Sequence, residues 1–272
     1  MKKIVQYRLH VYLQLFLLTL MSFPRITSRE LTISLAVCMI GGWIFLFNKT
    51  TDLVEDNLND GSLPVDQEYL GVIKRIAYIC LIIPVLLLWR IPEVLAVVLF
   101  FGGFMGFIYS YPIRLKGRSF RLKNILLVKN LTSAVCITAL ICLPCYLLFP
   151  DFPHIYLLLK AISIFFLTLC VEIMCDIRDI EGDRQAGIMT LPNTLGVAPA
   201  KAIALVIFTG YCLWFNHLVS FSFRLSPLLI LAQAATFLII LFTTAKRPYW
   251  YFHLITFAWS AFCLVSLAIW YA

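Results

Sequence analysis

The chain has 272 residues, 62% of them hydrophobic and only 13% charged, with 22 Lys and Arg against 14 Asp and Glu. That apolar share lies far above the roughly 45–50% of a soluble domain, which excludes an ordinary soluble fold and implies a polytopic membrane protein. The net charge of +8 does not mark a nucleic-acid binder, because the basic residues gather in particular loops.

Nine apolar stretches approach or exceed the roughly 17–25 residues that cross a bilayer as a helix. In chain order they fall near 4–23, 30–51, 70–89, 93–110, 125–149, 154–175, 200–221, 226–244 and 252–271. The first follows Lys2 and Lys3 as a signal peptide would. No small-residue cleavage site comes after it, and Phe23-Pro24-Arg25 reads as the end of a span, so the segment is expected to be a retained helix. The expected fold class is an all-α membrane bundle of about nine transmembrane helices, one domain over 1–272.

Lys and Arg favour alternate loops. One side collects Lys2, Lys3 and Arg8, then Lys49, Lys74 and Arg75, then Arg114, Lys116, Arg118, Arg121, Lys123 and Lys129, with further groups at Arg178, Arg184 and Lys201 and at Lys246 and Arg247. By the positive-inside rule that side is cytoplasmic, so the N-terminus faces the cytoplasm and the C-terminus lies across the membrane. All nine cysteines sit in apolar stretches. The one CxxC, Cys142-Leu-Pro-Cys145, has neither a partner CxxC nor a nearby His to complete a zinc site, so these thiols read as small buried hydrophobes.

Acids crowd into two short windows on the cytoplasmic side. Asn48, Asp52 and Asp56 are spaced four and four; Asp176, Asp179 and Asp183 are spaced three and four, which predicts a shared helical face for each trio. Carboxylates at a bilayer edge are costly. Crowded carboxylates also repel unless cations join them, and oxygen ligands converging from two helix ends suit divalent metal and a diphosphate. Glu55, Asp60, Glu181 and Arg178 point off those faces and read as solvated charge at helix ends. Glu172, one turn before Asp176 and deeper in its span, either supports the acids from behind or contacts an acceptor.

Between the two windows runs a basic loop with aromatics, Tyr109-Ser-Tyr-Pro-Ile-Arg-Leu-Lys116, continuing to Arg121, Lys123 and Asn124. Arg offers a planar fork and Lys a compact charge for phosphate oxygens. Arg114, Lys116 and Lys123 are the candidate diphosphate contacts; anionic lipid headgroups would draw the same residues.

These motifs resemble the UbiA superfamily of intramembrane prenyltransferases over nearly the whole chain. The family's first motif, NDxxDxxxD, stands here as Asn48-Lys49-Thr-Thr-Asp52-Leu-Val-Glu-Asp56. Its second stands complete as Asp176, Asp179 and Asp183, followed by Gly187, Thr190 and Pro192, and the Tyr-Ser-x-Pro-x-Arg-Leu-Lys loop is similar too. One departure is Lys49, which takes the place of the family's first Asp; either that Asp is dispensable or a cation here touches diphosphate directly.

The resemblance implies a helical bundle around a central cavity capped by both motifs. It implies a Mg²⁺-dependent transfer of an isoprenoid group from a prenyl diphosphate to a hydrophobic or aromatic acceptor, such as a quinone precursor. Asn48, Asp52, Asp56, Asp176, Asp179 and Asp183 would hold metal, the five Asp being the catalytic set. Asn48, Lys49, Tyr109, Arg114, Lys116, Lys123 and Asn124 would bind diphosphate. A terpene cyclase or a non-aromatic acceptor is the alternative within the family, and a transporter or lipid-binding scaffold the alternative outside it. Transferases of CDP-linked alcohols need one continuous acidic run, whereas these acids are split between two distant spans.

Overall fold

The computed structural model describes residues 8–53, 67–111, 113–115, 118–220 and 227–271. Apolar runs become helices in chain order: α1 (Leu9–Leu20), α2 (Ser28–Thr51) and α3 (Gln67–Leu88) come first. A single rod over Pro92–Ser110 follows, made of α4 (Pro92–Val97), a π-helical segment (Val98–Phe104) and α5 (Met105–Ser110). The basic loop then forms a short antiparallel hairpin, β1 (Ile113–Leu115) with β2 (Arg118–Phe120), and a 3₁₀ turn over Leu122–Asn124. The long helices α6 (Val128–Leu148) and α7 (His154–Arg178) lead to two short ones, α8 (Ile180–Gln185) and α9 (Leu191–Leu195). The chain ends with α10 (Val197–Ser220), α11 (Pro227–Leu241), a 3₁₀ turn at Tyr249–His253 and α12 (Leu254–Tyr271).

Seven of these rods are long and apolar enough to cross a membrane. The helices α1 and α11, in the places of the expected first and eighth spans, have only 12 and 15 residues. At a rise of 1.5 Å per residue these reach about 18 and 23 Å, short of the roughly 30 Å hydrocarbon layer. The expected count of nine full spans therefore narrows to seven such rods and two shorter apolar helices among the described residues. The strand pair in the basic loop was also not expected. All nine cysteines are free thiols within helices.

Each rod packs on the next through the chain, and α12 packs back on α1, so the described helices close into a ring. Two apolar cores fill it and share α7. Ile33, Ile40, Trp43, Leu140 and Ile164 belong to the first, and Ile173, Phe208, Ile240, Phe252 and Ile255 to the second. A capping box starts α2: the Thr27 N–H donates to Glu30 Oε2 at 2.9 Å while the Arg29 N–H donates to Thr27 Oγ1 at 3.3 Å. The π-helical segment brings Gly102 against Ile40 so closely that a Cβ there would overlap the isoleucine side chain.

The punctuation after the second acidic motif is structural. Gly187, at φ +70°, closes α8 with a Schellman turn, in which the Ile188 N–H reaches Asp183 O at 2.8 Å and the Gly187 N–H reaches Arg184 O at 3.2 Å. Thr190 then caps α9 by accepting from the Asn193 N–H, and Pro192 sits in its first turn. These residues fold the chain back under the bundle and fix where Asp183 stands.

Gly102→Ala should lower the apparent unfolding temperature in detergent, equivalent to about 1–3 kcal/mol of overpacking. Gly210→Ala, where a Cβ meets nothing within 4 Å, should leave that temperature unchanged or slightly higher.

Candidate active site

A central cavity opens at the end of the ring where α2 finishes and α6 begins. Asn48 and Asp52 enter it from α2, Tyr109 from α5, Lys123 from the 3₁₀ turn, and Asp179 and Asp183 from the α7–α8 corner. The two sequence motifs, more than a hundred residues apart, thus share one space. The second trio does not follow one unbroken helical face, and the described part of the first sits at a helix end. Asp52 is the residue at which α2 stops, its N–H bonded to Asn48 O at 2.9 Å, and Asp179 is a one-residue break between α7 and α8. Helix ends place the carboxylates at the cavity mouth, where a continuous helix would have carried them past it.

Every motif aspartate that is described has a basic partner. Lys123 pairs with Asp52 Oδ1, and Arg121 Nη1 stands 3.6 Å from the same oxygen. Lys129 Nζ bridges two acids, 2.7 Å from Asp176 Oδ1 and 3.0 Å from Asp183 Oδ2. Asn130 Nδ2 donates to the other oxygen of Asp176 at 2.9 Å. Arg178 forks onto Asp179, with Nε 2.6 Å from Oδ1 and Nη2 against Oδ2. Its Nη1 lies 3.3 Å from His253 Nε2, and because guanidinium only donates, that ring nitrogen is the acceptor.

Burial pushes the Asp183 carboxyl up to about 6, with Lys129 opposing and Asp179 and Asp176 adding to the rise. Burial works to raise Asp179 as well, but the Arg178 guanidinium, Lys129 and Arg8 together outweigh it and hold that carboxyl below the ordinary value. Neighbouring acids are thus pushed apart by whichever cation each one meets.

Several expected site residues lie elsewhere. Asp176 is fully buried behind the cavity wall, reached through Lys129. Lys49 is buried on α2 and is not part of the cavity lining. Asn48 faces the cavity, but its Oδ1 accepts from Ser110 Oγ at 2.9 Å. Asn124 lies beside Lys123 in the 3₁₀ turn and off the cavity lining. Asp56 and Lys116 lie outside the described residues, as do Glu55 and Asp60, and for Arg114 only the backbone pairing with Ser119 is described.

Arg178 corrects its expected role as solvated charge. Its side chain is only 5% exposed, because the long stem folds the guanidinium back over Asp179 into the cavity. Glu181 does remain at the surface, accepting from Gln185 Nε2 at 2.8 Å. The sequence reading also missed Lys129, Asn130, Arg8 and His253 as site residues. Lys129-Asn130 at the very start of an apolar span was a usable signal, since two buried polar side chains there need partners. His253, from the far end of the chain, carried none.

The donor set is oxygen only, which suits a hard divalent cation such as Mg²⁺ or Ca²⁺ over a soft one. Among the described residues no three carboxylate, His or Cys side chains already converge as a metal cluster. Lys129, lodged between Asp176 and Asp183, shows that this pair of carboxylates accommodates a shared cation.

An all-helical membrane protein with an acid- and base-lined cavity at one end of its ring is therefore the class these features define. The sequence matches the model of the UbiA prenyltransferase family over residues 15–249, and the chain belongs to that family. Among solved structures it resembles a UbiA homologue from Archaeoglobus fulgidus bound to GPP and Mg²⁺, at 15% identity and a TM-score of 0.61, covering 98% of this chain and 100% of that one. An apo UbiA homologue from Aeropyrum pernix K1 aligns at 16% identity and TM-score 0.63 over 96% and 98% of the two chains. A structure described as digeranylgeranylglyceryl phosphate synthase in membranes aligns at 13% identity and TM-score 0.57 over 95% and 94%. No curated protein matches the chain at comparable significance.

Lys129→Met should destabilise the bundle by about 3–5 kcal/mol, because it strands buried Asp176 beside Asp183 without a cation. Thermal unfolding in detergent checks this, and Lys129→Met combined with Asp176→Asn should recover much of the loss. A double variant no more stable than the single one would contradict the pairing.

Proposed function

We propose that this chain catalyses Mg²⁺-dependent transfer of a prenyl group from a prenyl diphosphate to a hydrophobic acceptor inside the membrane. Residues 1–272 act as one domain, nine helices are embedded, and the N-terminus and cavity mouth face the cytoplasm. The observation that carries the reading is that both acidic motifs and four cations, Lys123, Lys129, Arg178 and Arg8, meet in one cavity whose deeper wall is apolar.

Asn48, Asp52, Asp56, Asp176, Asp179 and Asp183 would hold the metal, which when bound supplies positive charge to the diphosphate. Lys123, Lys129 and Arg178 grip phosphate oxygens and stabilise the charge that grows on them as the allylic carbon–oxygen bond breaks. Tyr109, Arg114 and Lys116 would bind the same group, while Lys49 and Asn124 add positive potential and polarity from behind. Leu15, Leu18, Phe101, Ile137, Leu140 and Ile164 continue the cavity downward as an apolar wall for the isoprenoid tail and keep water from the allylic cation. The relatives bound to GPP, and to DMAPP, each with Mg²⁺, support the donor class.

Purified protein incubated with labelled geranyl diphosphate and a membrane lipid extract should yield a prenylated product by mass spectrometry, together with pyrophosphate. EDTA should stop both. Asp179→Ala should lower the rate by about 10²–10³-fold or more, as removal of a charge-stabilising group does, without unfolding the protein. Cyclic hydrocarbon formed with no acceptor would replace transfer by cyclisation. No pyrophosphate release under any condition would favour a transporter or scaffold.

A further inference from the structure

Among the described residues, five carboxylates surround the cavity or stand just behind its wall, and four of them have cationic partners. Glu172 is different. It lines the cavity from α7 one turn below Asp176, about 6 Å deeper at the helical rise, half-buried, and it makes no hydrogen bond or ion pair among the described residues. Lys129, Arg8 and Arg178 lie near enough to act on it electrostatically, and so does Asp176, yet none bonds to it. A carboxylate placed in an apolar span without a partner is costly, and an ionised one can only accept hydrogen bonds.

The surroundings say what would satisfy it. Gln14, Thr132, Ser133 and Thr168 line the same cavity, and Thr132 and Ser133 stand about one turn below Lys129 on α6. The cavity is thus layered: charged groups at the mouth, Thr132, Ser133 and Glu172 at the next turn, Thr168 a turn below Glu172, and an apolar wall beneath. The mouth fits a diphosphate and the apolar wall its tail. The middle layer has a place for a neutral head that donates a proton, and an anionic head there would meet Glu172 like charge to like.

Resting on the prenyl-transfer reading, we propose that Glu172 is the catalytic proton acceptor for the second substrate, and that this substrate presents a neutral hydroxyl. The donor's C1–O bond breaks with its electron pair leaving on diphosphate. A new bond forms between C1 and the acceptor oxygen, or the ring carbon which that oxygen activates. The hydroxyl proton passes to a Glu172 carboxylate oxygen. The described motif aspartates are poor alternatives for this step, because each of Asp52, Asp176, Asp179 and Asp183 is already committed to a cation.

The test uses full-length protein with Mg²⁺, geranyl diphosphate and two hydroxyl probes, 1,4-dihydroxynaphthalene and a 1-O-alkylglycerol, each beside its fully O-methylated form. Wild type should prenylate at least one hydroxyl probe and neither methyl ether. Glu172→Gln should bind geranyl diphosphate with unchanged Kd but transfer about 10²–10⁴-fold more slowly, the range of a lost general base. Glu172→Asp, which keeps the carboxylate, should retain more activity than Glu172→Gln and serves where the latter does not fold. Wild-type kcat in Glu172→Gln, or equal loss of donor affinity and kcat in both variants, would overturn the assignment. Wild type that accepts the methyl ethers equally, or releases pyrophosphate yet prenylates neither probe, would overturn the acceptor class. Wild type that releases no pyrophosphate at all would sink the prenyl-transfer reading itself.

Discussion

Carboxylates at the end of an apolar bundle must be matched by positive charge, and the rest of this structure is arranged around meeting that demand. Desolvating an ion costs several kcal/mol unless a counterion and hydrogen bonds replace its water. Here the replacements come from elements distant in sequence. Lys123 ties the basic loop to the end of α2 through Asp52, and Lys129 with Asn130 ties the start of α6 to the end of α7. Arg178 ties the α7–α8 corner to the start of the last helix through His253. The acids that could hold a metal are also the pins that register the helix ends.

That arrangement has a chemical consequence. Under the proposed reaction, a diphosphate arriving with divalent cations would bring both charges at once, and the carboxylates would take the metal while Lys123, Lys129 and Arg178 turned to phosphate. Below that layer the wall is apolar.

Much of this was legible in the residues. Helix positions followed the apolar runs because burial in lipid and burial in the bundle favour the same side chains, and the observed rods start and stop within a few residues of the expected ones. The motif aspartates were legible as a group because their spacing is periodic. Their individual fates were not: Asp176 went behind the wall and Asp179 to a helix break, outcomes set by where Lys129 and Arg178 arrive. Arg178 was misread because its spacing put it off the acidic face, while its long stem can reach back around the helix. His253 had no local signal at all, as its role exists only through closure of the ring.

The account's central claim is that the two acidic helix ends act together, through metal, on a diphosphate. Titration of purified protein with geranyl diphosphate, with and without Mg²⁺, tests it most directly. The account predicts tight binding only when Mg²⁺ is present, and its loss when either Asp52 or Asp179 is changed to Asn. Equal affinity in the presence of EDTA, or binding that ignores both substitutions, would contradict it.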